Sequence, residues 1–167
     1  MKVYGVQVVE DNELYVKDFI DGNFPTIKAT IPVSNEIEEI DGRKVMIFSR
    51  TLEGYILLQT KDDFSKYEKQ LIRIDGVSSL LNKANSPMPE EEAKPFMCGL
   101  SKDVVALLKK GLVNVIGGQH AGRRGKVVSC KLPILKIALV SATNKKSAGT
   151  VLVSVWDIVK ILDQEDK

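Results

Sequence analysis

The run Val113-Asn-Val-Ile-Gly-Gly-Gln-His-Ala-Gly-Arg-Arg-Gly-Lys-Val127 constrains this chain more than any other stretch. A strand-like opening leads into a loop punctuated by Gly118, Gly122 and Gly125, and a second strand starts near Lys126. Glycines in such a loop let the backbone press against a ligand, because no Cβ blocks the approach and positive φ costs little. Arg123, Arg124 and Lys126 lie in and beside it. From Val104 to Trp156 the chain holds nine cations and no acid, so the expected ligand is a polyanion.

The spacing Val-x-Val-x-x-Gly-x-x-x-Gly-x-x-Gly-x-Val, met at Val113, Val115, Gly118, Gly122, Gly125 and Val127, resembles the KOW motif. That motif occurs in NusG-type transcription elongation factors and in several large-subunit ribosomal proteins. The resemblance covers residues 104–163 and implies a small SH3-like β-barrel, with the motif as its first strand, first loop and second strand. Ile134 to Val140, Thr150 to Val155 and Asp157 to Leu162 can supply the remaining strands. In architecture the whole chain is also similar to the MotB-type transcription modulators of T-even phages.

Charge divides the chain. Residues 1–100 hold 12 basic and 17 acidic side chains, whereas residues 101–167 hold 12 basic and 5 acidic. That asymmetry points to a basic binding module attached to something with another task.

Ahead of the motif, short Val-, Ile- and Tyr-rich runs recur at roughly ten-residue spacing. They cover Lys2 to Val9, Leu14 to Ile20, Thr26 to Val33, Lys44 to Ser49 and Tyr55 to Gln59, with breaks at Asp11-Asn12, Asp41-Gly42 and Glu53-Gly54. Phe64, Tyr67, Leu71 and Ile74 fall on one stripe and predict a helix over 63–74. Ser101 is placed to cap a second helix that Gly111 would stop. The predicted fold is therefore mainly β: two small β-barrel domains, the C-terminal one SH3-like, with one or two short helices. Their expected limits are residues 1–78 and 101–167. Residues 79–100 are expected as a linker, because Ser86 to Pro95 combines three prolines with Glu90, Glu91 and Glu92.

No catalytic constellation is visible. His120 has no acid within ten residues, and Gly117 to Val127 lacks the Gly-Lys-Ser/Thr ending of a phosphate-hydrolysing loop. Cys98 and Cys130 with a single histidine cannot supply four zinc ligands, so neither metal nor cofactor is expected. The amino terminus lacks the apolar run of a signal peptide and no stretch approaches a membrane span. The expected location is the cytoplasm, on the nucleoid if DNA is the ligand and in a host cell if the chain is viral.

The chain thus reads as a non-enzymatic, sequence-tolerant nucleic-acid-binding protein that modulates transcription or chromosome organisation. The candidate contacts are Gly118, His120, Gly122, Arg123, Arg124, Lys126, Lys131, Lys145 and Lys146. Duplex DNA is favoured over RNA because Trp156 is the one aromatic in the basic half, too few for stacking unpaired bases. The alternatives are a ribosome-associated rRNA binder, and a KOW-type adaptor that contacts RNA polymerase or another DNA-binding protein.

Overall fold

The computed structural model describes residues 1–97, 99–141 and 147–162. In chain order the elements are β1 (Lys2–Val8), α1 (Glu13–Asn23), β2 (Lys28–Thr30), β3 (Val33–Ile40), β4 (Arg43–Arg50) and β5 (Tyr55–Thr60). A 3-10 turn (Phe64–Lys66) leads into α2 (Glu68–Leu71), followed by β6 (Val77–Leu80), α3 (Glu90–Met97) and α4 (Lys102–Lys109). Then come β7 (Val113–Val115), β8 (Arg124–Lys131), β9 (Ile134–Val140), β10 (Ser147–Ser154), a second 3-10 turn (Val155–Asp157) and β11 (Ile158–Ile161). The fold is mainly β, with two sheets and few helices.

Two compact units divide these elements. The first takes residues 1–32 and 51–98, the second 33–50 and 99–167. The hairpin β3–β4, inside the stretch expected to form the first domain, therefore belongs with the carboxy-terminal elements. Its core-facing Val33, Met46 and Phe48 explain why, since they join Leu108, Val113, Val127, Ile137 and Ile158 in one buried cluster.

The first unit is a four-stranded antiparallel sheet in the order β2-β5-β1-β6. With α1 between β1 and β2 and α2 between β5 and β6, it has the split β-α-β-β-α-β topology. Leu14 to Ile20, expected as a strand, is helical. Glu13, Val16 and Ile20 are its buried positions, a spacing that suits a helix face packed on a sheet. Glu13 is inside because its Oε1 accepts from the Gly54 N–H at 2.9 Å. The helix expected over 63–74 is shorter, a 3-10 turn capped by Asp63, which accepts from Ser65 N, and then α2. Phe64, Leu71 and Ile74 are buried as the stripe requires, and Phe64 stacks on Tyr4 with ring centroids 3.8 Å apart.

The expected linker is also corrected. Met88 N donates to Val3 O at 2.8 Å, and α3 buries Ala93 against Val3 and Leu57, with Phe96 and Met97 alongside. Pro89 helps to start α3, its carbonyl accepting from Glu92 N and Ala93 N. Proline is tolerated at a helix start, where its missing N–H has no intrahelical partner to lose.

The second unit holds a seven-stranded antiparallel sheet in the order β10-β9-β8-β7-β11-β4-β3. β7 to β10 form a meander, and after the 3-10 turn β11 returns to pair with β7. That is the strand arrangement the SH3-like expectation requires. Ser101 caps α4 by accepting from Val104 N at 3.2 Å, and Gly111, at φ 74, follows its end. β3 and β4 then extend the sheet beyond β11, joined through the two-residue turn Asp41-Gly42 at φ 52 and 77, the conformation hairpins favour.

Candidate nucleic-acid interface

β7 and β8 are short antiparallel neighbours, pairing Val113 with Gly125 and Asn114 with Arg124. Between them the loop closes on itself: Gly122 N donates to Val115 O at 2.8 Å, and Val115 N donates to Arg123 O at 2.8 Å. Arg123 N also donates to His120 O at 3.1 Å. The backbone that carries Arg123 and Arg124 is therefore fixed, so a ligand has mainly their side chains to order.

The glycines do different jobs. Gly122 sits at φ 87 with nothing within 4 Å of an added Cβ, so its requirement is conformational. Gly125 lies in β8, where a Cβ would come 2.7 Å from Ala138 O and would collide with Ile137, so its requirement is space. Gly118, at φ 75, opens the turn whose carbonyl accepts from Ala121 N at 3.3 Å.

Arg123, Arg124 and Lys126 are all exposed. Along β8 Gly125 and Val127 are buried, so Arg124 and Lys126 share the outer face. Strict alternation would send Lys131 to the other face, five residues on. A bulge at Val128 prevents this: Val127 pairs with Ile137, but Ser129 already pairs with Lys136. Lys131 is exposed as a result. It lies roughly 23 Å along the strand from Arg124, at the far end of the face rather than beside the loop. His120 is half-buried within the loop, with its carbonyl engaged by Arg123. Lys145 and Lys146, expected in the same interface, lie outside the described residues.

Two features escape sequence reasoning about the site. Lys136 stands exposed on the outer face of β9, cross-strand from Ser129 and Leu152. The pattern Leu135, Ile137, Leu139 inward and Lys136 outward was its signal. Asp157 closes the base of the loop: its carbonyl accepts from Ile116 N at 2.7 Å, and its carboxylate lies so near Gly117 that a Cβ there would be 2.5 Å from Oδ1. The acid that ends the acid-free stretch in sequence thus returns beside the loop in space, next to Gly117 and Gly118.

Trp156 does not offer a free ring. It packs on the core cluster, and the Arg50 guanidinium lies 5.0 Å from its ring centroid. Cys130 is half-buried, and burial pushes its thiol up, with nearby Lys109 pulling the other way; that disfavours the thiolate. Among the described residues no group of three or more His, Cys, Asp or Glu side chains could hold a metal ion, and no helix is long and apolar enough to cross a membrane.

No protein-family model matches the chain, and no curated protein does. Among solved structures, the chain overlaps the MjSpt4:Spt5 complex in conformation B at 15% identity, covering 99% of both chains with a TM-score of 0.36. Conformation A of that complex gives 15% identity, 98% and 99% coverage and a TM-score of 0.34. NusG of Thermotoga maritima gives 16% identity, 95% and 96% coverage and a TM-score of 0.36. At such loose overlap the strand orders themselves, β2-β5-β1-β6 and β10-β9-β8-β7-β11-β4-β3, define the fold of this chain.

Proposed function

We propose that the protein is a non-enzymatic nucleic-acid-binding module that grips the backbone of duplex DNA with little sequence preference and thereby modulates transcription or chromosome organisation. The observation that carries this reading is the outer side of the second unit, where Arg123, Arg124 and Lys126 stand exposed on and beside a hydrogen-bonded glycine loop and Lys136 extends the patch. Each cation that meets a phosphate releases condensed counterions, a sequence-independent source of affinity. Single strands are the poorer ligand, because Arg50 already occupies a face of the Trp156 ring and base stacking needs an open one.

A second reading is favoured by one specific feature. Ile116 in the loop, Val128 on β8 and Leu152 on β10 are exposed among the cations, Val128 and Leu152 by 54% and 69%. Aliphatic side chains give a phosphate backbone nothing but fit an acidic, partly apolar protein surface, such as one on RNA polymerase or another DNA-binding protein. Affinities for duplex DNA, structured RNA and RNA polymerase, measured at matched salt, separate the readings. Tightest binding to the duplex, falling steeply with salt, supports the first; binding to polymerase with weak salt dependence supports the second.

A further inference from the structure

The seven-stranded sheet ends at β3, and no strand among the described residues pairs with its outer side. Register fixes which backbone groups face outward. Ile40 and Arg43 flank the two-residue turn and are a hydrogen-bonded pair, so Glu38–Val45 and Glu36–Ile47 are bonded pairs as well. Asn35, Ile37 and Glu39 therefore turn their N–H and C=O groups away from β4. The side chains follow the same alternation: Glu36, Glu38 and Ile40 lie on one face, and Ile37 lies on the face of Met46.

Proteins protect open edges with charge, and Glu36 and Glu38 do discourage pairing with a second copy, since a two-fold β3–β3 contact would bring acids together. Protection does not account for Ile37, which is 58% exposed beyond the end of the core, nor for Ile40, also exposed. An edge with free backbone groups, an exposed isoleucine on each face and acids between them has the makings of a strand-acceptor. The acids repel nucleic acid, so this edge is separate in kind from the basic loop.

We propose that β3 accepts an extended basic peptide segment of a partner protein as an eighth strand, one in which Lys or Arg alternates with aliphatic residues. The basic side chains lie over Glu36 and Glu38, the aliphatic ones pack beside Ile37, and the main chain bonds to Asn35, Ile37 and Glu39.

The probe is fluorescein-labelled acetyl-Lys-Val-Lys-Val-Lys-Val-Lys-amide, with the Glu-for-Lys peptide as control, added to the full chain. The expected result is saturable binding of the lysine peptide alone, with amide-exchange protection appearing at Ile37 and Glu39 on β3. Glu36→Lys with Glu38→Lys should weaken binding at least tenfold. Ile37→Pro, which removes an outward N–H without touching the β3–β4 ladder, should do the same while Trp156 emission stays unchanged. Protection elsewhere, or an Ile37→Pro variant that folds and binds like the parent, overturns the proposal. So does concentration-dependent dimerisation that protects β3 without peptide, because the occupant would then be a second copy. The protection map of the parent needs no variant, so misfolding of a substituted chain leaves the test intact.

Discussion

Replacing Phe48 by alanine should destabilise the unit that carries the glycine loop, although Phe48 lies within the first third of the chain. Phe48 is 5% exposed and sits in the cluster that includes Val113, Val127 and Ile137, the residues that hold β7, β8 and β9 together. Removing a buried phenylalanine costs about 3–5 kcal/mol, transfer and cavity terms included. Against a typical total of about 5–15 kcal/mol this is a large fraction. With a urea slope of about 2 kcal/mol per molar, the midpoint should fall by roughly 2 M. Trp156 is the sole tryptophan, belongs to the same unit and packs on the same cluster, so its fluorescence reports the right transition. Phe64→Ala, which empties a fully buried position in the other unit, is the control and should leave the Trp156 transition in place. If the two variants shift it equally, or if only Phe64→Ala shifts it, the assignment of the hairpin to the second unit is wrong.

Other substitutions separate the jobs of individual residues. Gly122→Asn should retain more affinity and stability than Gly122→Val, since asparagine tolerates positive φ; thermal melts and duplex titrations of both variants check this. At Gly125 no side chain should be tolerated, and even Gly125→Ala should cost about 1–3 kcal/mol in a denaturant melt, because Ala138 O and Ile137 leave no room. Lys160 is 2% exposed and its Nζ donates to the carbonyls of Lys110 and Leu112. Lys160→Met should therefore lower stability by about 1 kcal/mol by removing these two part-buried hydrogen bonds, measured by the Trp156 transition. A chelator should leave the melting temperature where it was; stoichiometric zinc in the purified chain would contradict that expectation.

Legibility tracked how local the physics was. The loop, its flanking strands and α4 were readable because their signals sit side by side in sequence: the three glycines, Ser101 as cap and Gly111 as stop. The alternation of Leu135, Lys136 and Ile137 was equally local, yet its consequence for the site emerged only once the bulge at Val128 had turned Lys131 to the face that Lys136 already occupies. α1 was misread because Leu14, Val16 and Ile20 satisfy a two-residue period as easily as Val16 and Ile20 satisfy a helical one. Only the sheet, which buries Glu13 against Gly54 N–H, decides between them. α3 was obscured by its prolines, although Ala93, Phe96 and Met97 already stood at helical spacing. The destination of β3–β4 was not legible at all. Val33, Met46 and Phe48 announce a buried face, but which core they enter is a long-range matter. The same holds for Asp157, distant in sequence from Gly117 and adjacent in space.

Salt dependence of duplex binding tests the central proposal most directly. Each phosphate contact contributes a slope of about 0.9 in log affinity against log salt. Arg123→Glu with Arg124→Glu, both at exposed positions whose change should move stability by no more than about 0.5 kcal/mol, should weaken binding on every duplex alike. The account predicts that the slope flattens by about two units in the double variant. An unchanged slope and affinity at matched salt would remove the loop as the site and leave the exposed Val128 and Leu152 face, and a protein partner, as the surviving reading.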